Sequence, residues 1–140
     1  GGLLVIATKS NIFYESLLSK YTKKDGVIYF SKYPSIVQIP TLLGASDFYL
    51  HPKSKIAGNL LPMLAGNYGA IPLLALDKHS TEDYFNDNNA FIVNNNLNDK
   101  ILEAFQLYGD KEAFLSKRQT AMSSIPAWTD EKEAYINLYK

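Results

Sequence analysis

The chain has 140 residues, no cysteine, and 14 basic residues balanced by 14 acidic ones. This length fits one domain with one core. The zero net charge argues against a broad basic surface for nucleic acid or an anionic membrane. The lack of cysteine excludes disulfides, thiolate nucleophiles and cysteine metal sites.

Neither a membrane span nor a secretory signal is indicated. No apolar run approaches the roughly 20 residues that a spanning helix needs. Residues 1–7 lack the basic segment that precedes the apolar part of a signal peptide. We therefore expect a cytoplasmic protein with neither nucleic acid nor a membrane as a partner.

The first half of the chain alternates strand and helix patterns. The opening apolar run is typical of a buried parallel strand, and apolar residues at helical spacing follow it. The predicted elements are a strand over Leu3–Ala7, a helix from Ser10 or Asn11 to about Lys23, a strand over Val27–Phe30, a helix over Ile39–Ala45 and a strand over Asp47–His51.

The second half continues this alternation and ends in helices. Asn59 is suited to cap a helix whose first turn contains Pro62, and Gly69 fits the position just after its end. The predicted elements are a helix over Leu60–Tyr68, a strand over Ile71–Leu76, a helix over Thr81–Phe85, a strand over Ala90–Val93, and helices over Ile101–Tyr108, Lys111–Met122 and Asp130–Tyr139. The stripe Leu102, Phe105 and Tyr108 is expected in the core.

Strands that alternate with helices at this spacing predict a parallel sheet covered on both faces. We expect an α/β fold, a three-layer doubly wound parallel sheet of five strands, followed by C-terminal helices. The whole of residues 1–140 is expected to form one domain. Because the chain opens almost directly on a strand, we also expect that domain to be a fragment of a longer chain.

One segment resembles a known family. Residues 39–52 read IPTLLGASDFYLHP, and residues 68–72 read YGAIP. The matching segments of glycogen and starch synthases read "AaSDfxLxPS", then "RFEPCGL", then "YGtiPiv", with the same interval from Pro52 to Gly69. Met122, Trp128 and the residues from Ala134 to Tyr139 resemble the closing "M…fsW…A..Y..lY" of those enzymes. The chain therefore resembles the C-terminal lobe of a GT-B glycosyltransferase of the glycogen synthase type.

This resemblance implies a Rossmann-like lobe that binds a nucleotide sugar. The donor would be ADP-glucose or UDP-glucose and the acceptor an α-glucan, with a separate N-terminal lobe supplying the acceptor side. Several working positions of the family carry other residues here. The loop glutamate falls on Ile56, the next three residues on Ala57, Gly58 and Asn59, and the "TGG" phosphate loop on Asp77, Lys78 and His79.

The resemblance also bears on strand order. The family arginine and lysine that neutralise the diphosphate lie on a strand upstream of Leu3, in the middle of the sheet. If the strand at Leu3 pairs instead with the strand at Phe48, the order of the five strands becomes 2-1-3-4-5. That order is a known doubly wound arrangement, the flavodoxin-like one.

The candidate binding residues surround the end of the third strand and the start of the following helix. A helix N-terminus at Asn59, Leu60 and Leu61 offers free N–H groups to a phosphate, and Lys53 and Lys55 would add positive charge. Most such helix ends bind only water or a cap, and this alternative stays open.

His51 completes the candidate set, because it ends a strand at the edge where open α/β sheets bind ligands. Its alternative is a half-buried histidine without a functional partner. No catalytic residue, cofactor or metal site is expected. The residues around His79 lack the spacing of metal ligands.

Three functions remain open from the sequence. The first is the donor-binding lobe of a glucosyltransferase that is inactive alone, since its basic groups and acceptor lobe are missing. The second is a non-catalytic binding or regulatory module that keeps the fold. The third is a flavodoxin-like domain that binds a phosphorylated ligand at residues 8–11.

Overall fold

A computed structural model describes residues 2–7, 12–21, 24–30, 34–51, 60–75, 84–94, 96–125, 132 and 136–138. The chain divides into two compact units, residues 1–39 and 40–140. In chain order the described elements are β1 (Leu4–Ala7), α1 (Ile12–Ser19), β2 (Val27–Phe30), α2 (Gln38–Gly44), β3 (Phe48–His51), α3 (Leu60–Asn67), β4 (Ile71–Ala75), β5 (Phe91–Val93), α4 (Leu97–Gly109) and α5 (Lys111–Ser123).

The first unit is a two-stranded parallel sheet whose strands are joined through α1. β1 pairs with β2 from Leu4 opposite Val27 to the last residue of each strand. The turn before β2 needs Gly26, which has φ +81° and whose added Cβ would stand 2.9 Å from the carbonyl oxygen of Gly2. The expectation of a fully buried first strand is wrong, because Leu3 and Leu4 are more than half exposed. Two strands and one helix are too few to cover both faces of a sheet.

The second unit contains a three-stranded parallel sheet in the order β3-β4-β5. The central strand β4 is almost wholly buried. Ile71 and Leu73 pack on one face with Phe114 of α5 and Ala104 of α4. Leu74 packs on the opposite face in a cluster that includes side chains of α3 and of residues 84–92. The unit therefore has the expected three layers, helix on sheet on helix.

The predicted strand order is confirmed in part. Neighbours 2-1 and 3-4-5 are paired as expected, and every described pairing is parallel. The single sheet of order 2-1-3-4-5 is wrong for the described strands, which form two sheets without a pairing of β1 to β3. That pairing was expected to replace a central strand of the resembling enzymes. The α/β class with parallel strands stands.

The end of α3 shows why a glycine follows it. Gly69 has φ +84°, a left-handed conformation that costs a glycine little. The N–H of Gly69 donates to the carbonyl of Gly66 at 2.9 Å, and the N–H of Ala70 donates to that of Ala65 at 2.9 Å. These two bonds form a Schellman motif, so the predicted helix end is confirmed.

The helix α4 begins earlier than expected. Asn96 caps it, its side chain accepting from the N–H of Asn98 at 3.0 Å, and Asp99 lies in the first turn. The Asn-rich segment thus supplies a helix cap as well as turns. The expected core stripe is wrong, because Leu102, Phe105 and Tyr108 are 60%, 57% and 52% exposed. The buried side of α4 instead carries Ala104, flanked by half-buried Ile101 and Leu107.

Two predicted helices lie largely outside the described residues. Of the helix expected over residues 81–85, Tyr84 and Phe85 are described and are not helical. Of the helix expected over residues 130–139, Lys132, Ile136 and Asn137 are described and are helical.

Candidate functional site at the carboxyl edge of the sheet

The ends of three parallel strands define the candidate site. β3, β4 and β5 run in the same direction and end at His51, Ala75 and Val93. These residues therefore lie at one edge of the sheet. In open α/β sheets this carboxyl edge is where ligands bind.

The helix α3 begins at the same edge. Because it connects two parallel strands, it must run back across the sheet from the carboxyl end of β3 to the amino end of β4. Leu60, its first residue, is 68% exposed, and Leu61 is half-buried. Pro62 has no N–H, so the helix start presents the N–H groups of Leu60 and Leu61, which have no partner within the helix. The positive end of the helix dipole favours an anion at this point.

His51 lies on the face of the sheet that α3 covers. Paired residues of a parallel sheet direct their side chains to the same face, and successive residues alternate. Tyr49 pairs with Pro72 and His51 pairs with Leu74. Leu74 packs with Met63 of α3. The side chains of Tyr49 and His51 are therefore on the α3 side.

The environment of His51 favours the neutral imidazole. Burial lowers the pKa of His51 below its usual value, because the charged form loses hydration. The hydroxyl of Tyr49 lies 3.3 Å from Nδ1, and the two rings are 6.0 Å apart with planes 31° from parallel. The sequence interpretation missed Tyr49. The available signal was its spacing, since residues two apart on a strand share a face.

The structure places some of the predicted binding residues at the same edge of the β3-β4-β5 sheet. His51 ends β3 there, and Leu60 and Leu61 begin α3. Lys53, Lys55 and Asn59 lie outside the described residues, as do positions 56–58 and 77–79. The assignment of a binding role to this set stays a prediction.

A shallow surface depression lies elsewhere. It is lined by Asp87, Asn88, Ala113, Ser116, Lys117 and Thr120. Asp87 and Asn88 precede β5, so the depression is on the side of the amino edge, opposite the candidate site. Lys117 donates to the backbone carbonyl of Asp87 and lies over the ring of Phe91, 4.7 Å from its centroid. Burial lowers the pKa of its ammonium group. These contacts fasten the turn before β5 to α5.

Neither a metal-binding cluster nor a membrane-spanning helix is found in the part of the chain that the structure describes. There, no group of three or more histidine, aspartate or glutamate side chains is placed to hold a metal ion. Likewise, none of the described helices has both the length and the apolar character needed to cross a membrane.

The fold defines a class: an α/β domain whose parallel strands β3, β4 and β5 carry helices on both faces. No known protein-family profile matches this sequence. The sequence is 28% identical to a glycogen synthase of Alkaliphilus metalliredigens over 109 residues, 71% of this chain and 23% of that enzyme. It is also 28% identical, over 106 residues, to glycogen synthases of two Clostridium botulinum strains, Eklund 17B and Alaska E43, with 69% of this chain and 22% of each enzyme covered.

These similarities confirm the resemblance first inferred from the segments around Pro52 and Gly69. The chain is glycogen-synthase-like over about seven-tenths of its length. It spans less than a quarter of the length of the curated relatives it matches.

Proposed function

We propose that this chain is the donor-binding lobe of a glucosyltransferase of the glycogen synthase type. Its ligand would be ADP-glucose or UDP-glucose, bound at the carboxyl edge of the β3-β4-β5 sheet. One observation supports this proposal above the others: residues 39–72, whose sequence resembles glycogen synthases, contribute β3, the start of α3 and the start of β4, which build that edge. The first turn of α3 would receive the diphosphate, with Lys53 and Lys55 adding charge and His51 a hydrogen bond.

We propose further that the chain alone does not transfer glucose. Departure of a nucleoside diphosphate requires positive groups or helix dipoles that stabilise the developing charge. In the resembling enzymes an arginine and a lysine upstream of the matched segment provide that charge, and a second lobe presents the α-glucan and excludes water. The donor and acceptor would therefore meet only when an N-terminal lobe faces this one. The compartment would be the cytoplasm.

A second candidate is a non-catalytic binding or regulatory module. The substitutions in this chain favour it. Ile56 stands where the family glutamate holds the donor sugar, and an aliphatic side chain cannot accept hydrogen bonds from sugar hydroxyls. Asp77 opens the segment that replaces the glycine-rich phosphate loop, and its carboxylate repels a diphosphate.

Calorimetric titration with ADP-glucose and with UDP-glucose separates the two candidates. The donor lobe should bind one of them, and a donor at 100 times its Kd should stabilise the fold by about 2.7 kcal/mol in a thermal unfolding experiment. Replacing both Lys53 and Lys55 by alanine should weaken binding. Lys111→Ala removes an exposed charge on α5 and is the matched control.

The outcomes of this titration are distinct. Binding that is weakened by the double variant and unchanged in the control supports the donor lobe. No heat and no thermal shift at millimolar concentrations of either donor contradict it and leave the non-catalytic module. Glucose incorporation into an α-glucan by the purified chain would contradict the proposed inactivity.

A further inference from the structure

We propose that Tyr49 is a positioning residue that holds His51 in one neutral tautomer, so that the Nε2–H of His51 donates to an oxygen of the bound nucleoside diphosphate sugar. The inference rests on the proposed function for its ligand. The arrangement of the two side chains rests on the structure alone.

Strand geometry places the pair. Residues 49 and 51 of β3 are two apart, so their side chains emerge from the same face, one behind the other toward the carboxyl edge. The hydroxyl of Tyr49 reaches Nδ1 of His51 at 3.3 Å. With the ring planes only 31° from parallel, the two rings lie alongside each other rather than edge to face.

Acid–base chemistry gives the direction of the hydrogen bond. A phenol is a better donor than a neutral imidazole N–H, and an unprotonated imidazole nitrogen is a better acceptor than a phenol oxygen. Tyr49 therefore donates its O–H to Nδ1, and the proton of the neutral ring is on Nε2. The half-buried position of His51 supports this state, because burial disfavours the imidazolium that would carry protons on both nitrogens.

The position of Tyr49 and His51 at the carboxyl edge of the sheet indicates a role in ligand binding. His51 is the last residue of β3, and the first residues of α3 start at the same edge on the same side of the sheet. A neutral donor at this place bonds a phosphate or hydroxyl oxygen without adding a charge that depends on pH. Which ring nitrogen of a histidine carries the proton is set by the hydrogen bond that the other nitrogen makes.

Nitrogen-15 NMR of histidine-labelled protein tests the tautomer without any ligand. In the wild type at neutral pH, the Nδ1 resonance of His51 should fall in the range of an unprotonated ring nitrogen, and Nε2 in that of a protonated one. Tyr49→Phe keeps the ring and removes the hydroxyl, so it should move both resonances toward the average of two tautomers. Assignment uses the variant His79→Gln, which leaves His51 as the single histidine.

Calorimetry with the two nucleoside diphosphate glucoses tests the ligand role. His51→Gln places an amide N–H near the position of Nε2 and should keep most of the affinity. His51→Asn is shorter, places its amide near Nδ1, and should bind at least about tenfold more weakly, the loss expected for one hydrogen bond to a charged acceptor.

Several results overturn the inference. A protonated Nδ1 in the wild type shows that Tyr49 does not set the tautomer. Nδ1 and Nε2 resonances in Tyr49→Phe that are unchanged from those of the wild type show the same. Equal affinity in wild type and His51→Asn shows that His51 does not contact the ligand. Absence of binding by the wild type contradicts the proposed function and the ligand role together, whereas the NMR resonances decide the role of Tyr49 separately.

Discussion

Gly69 and Arg118 are in direct contact: a Cβ added to Gly69 would stand 2.8 Å from Nε of Arg118 and 3.0 Å from its Nη2. Arg118 also lies over the ring of Phe114, 5.9 Å from the centroid. The guanidinium of α5 therefore packs on the turn that ends α3, the helix whose other end is the candidate phosphate site. The carboxyl-terminal end of α3 favours a positive charge through the helix dipole. The contact helps to fix α3 against the sheet.

Gly69→Ala should destabilise the protein by about 1–3 kcal/mol, because alanine is strained at φ +84° and its methyl group displaces Arg118. Urea unfolding followed by circular dichroism measures the change. Gly109→Ala is the matched control. Gly109 is the last residue of α4 and has no atom within 4 Å of its added Cβ. Its replacement by alanine should leave stability unchanged or raise it by up to about 1 kcal/mol. Equal effects at the two glycines would contradict the role given to Gly69.

Phe114→Ala should cost about 3–5 kcal/mol, because the ring is 6% exposed and packs against Phe48 and Tyr108 at centroid distances of 5.6 Å and 5.2 Å. Phe105→Ala makes the same chemical change on a ring that is 57% exposed, and should cost less than about 1 kcal/mol. The comparison by urea unfolding checks that the ring of Phe114 on α5 belongs to the core and that the ring of Phe105 on α4 does not. A larger loss at Phe105 than at Phe114 would mean that the original core stripe was right.

The error at Phe105 shows what periodicity alone does not decide. The apolar residues of α4 cover more of the helix surface than one sheet can bury, so spacing predicts a helix without selecting the buried side. Tertiary contacts select it: Ala104 meets the central strand and leaves Leu102 and Phe105 outside. By contrast, Gly69 was predictable because a left-handed residue just after a helix is a local requirement of the backbone.

In the sheet and at the site, too, features with a local signal in the sequence were predictable and features set by tertiary contacts were not. The 3-4-5 order was predictable because strands that follow one another along the chain usually lie next to each other in a sheet. The pairing of β1 with β2 was also predicted, but a second neighbour for β1 was not predictable, because such a pairing has no local signal in the sequence. At the site, His51 was identified from its place at the end of a strand. Tyr49 was missed because the interpretation considered His51 alone and not the hydroxyl two residues before it on the same face of the strand.

Gly66 and Ile125 should be energetically coupled. A Cβ added to Gly66 would collide with Cδ1 of Ile125, and the carbonyl oxygen of Ala121 is 3.4 Å away. Gly66→Ala gains helix propensity but overpacks the α3–α5 contact, whereas Ile125→Val removes the colliding methyl group. In a double-mutant cycle the double variant should be more stable than the sum of the single effects by about 0.5–3 kcal/mol. Strict additivity would contradict close packing at this point.

The stability of the fold should fall on acidification through His51. The pKa of His51 is lowered by burial, so the unfolded chain binds a proton at a higher pH than the folded protein does. Above the unfolded value of about 6.5 both states are neutral and the residue has no effect. Stability is lost as the pH falls from there through the folded pKa.

Urea midpoints at pH 7 and pH 5 measure this loss in a His79→Gln background. The protein that keeps His51 should lose more stability between these pH values than its His51→Gln counterpart. The carboxylates titrate in both proteins, so their effect cancels in the difference. A smaller loss in the His51 protein would mean that the folded state stabilises the imidazolium, contrary to the neutral ring described here.

The placement of the donor at the carboxyl edge is tested most directly by amide NMR spectra recorded during a titration with ADP-glucose and, in parallel, UDP-glucose. With one of them, the amide resonances of His51, Leu60 and Leu61 should move together and saturate, while those of Ala113, Ser116 and Lys117 near the opposite edge stay fixed. Unmoved resonances at the first three residues with both donors, or changes confined to the depression around Lys117, would contradict the account.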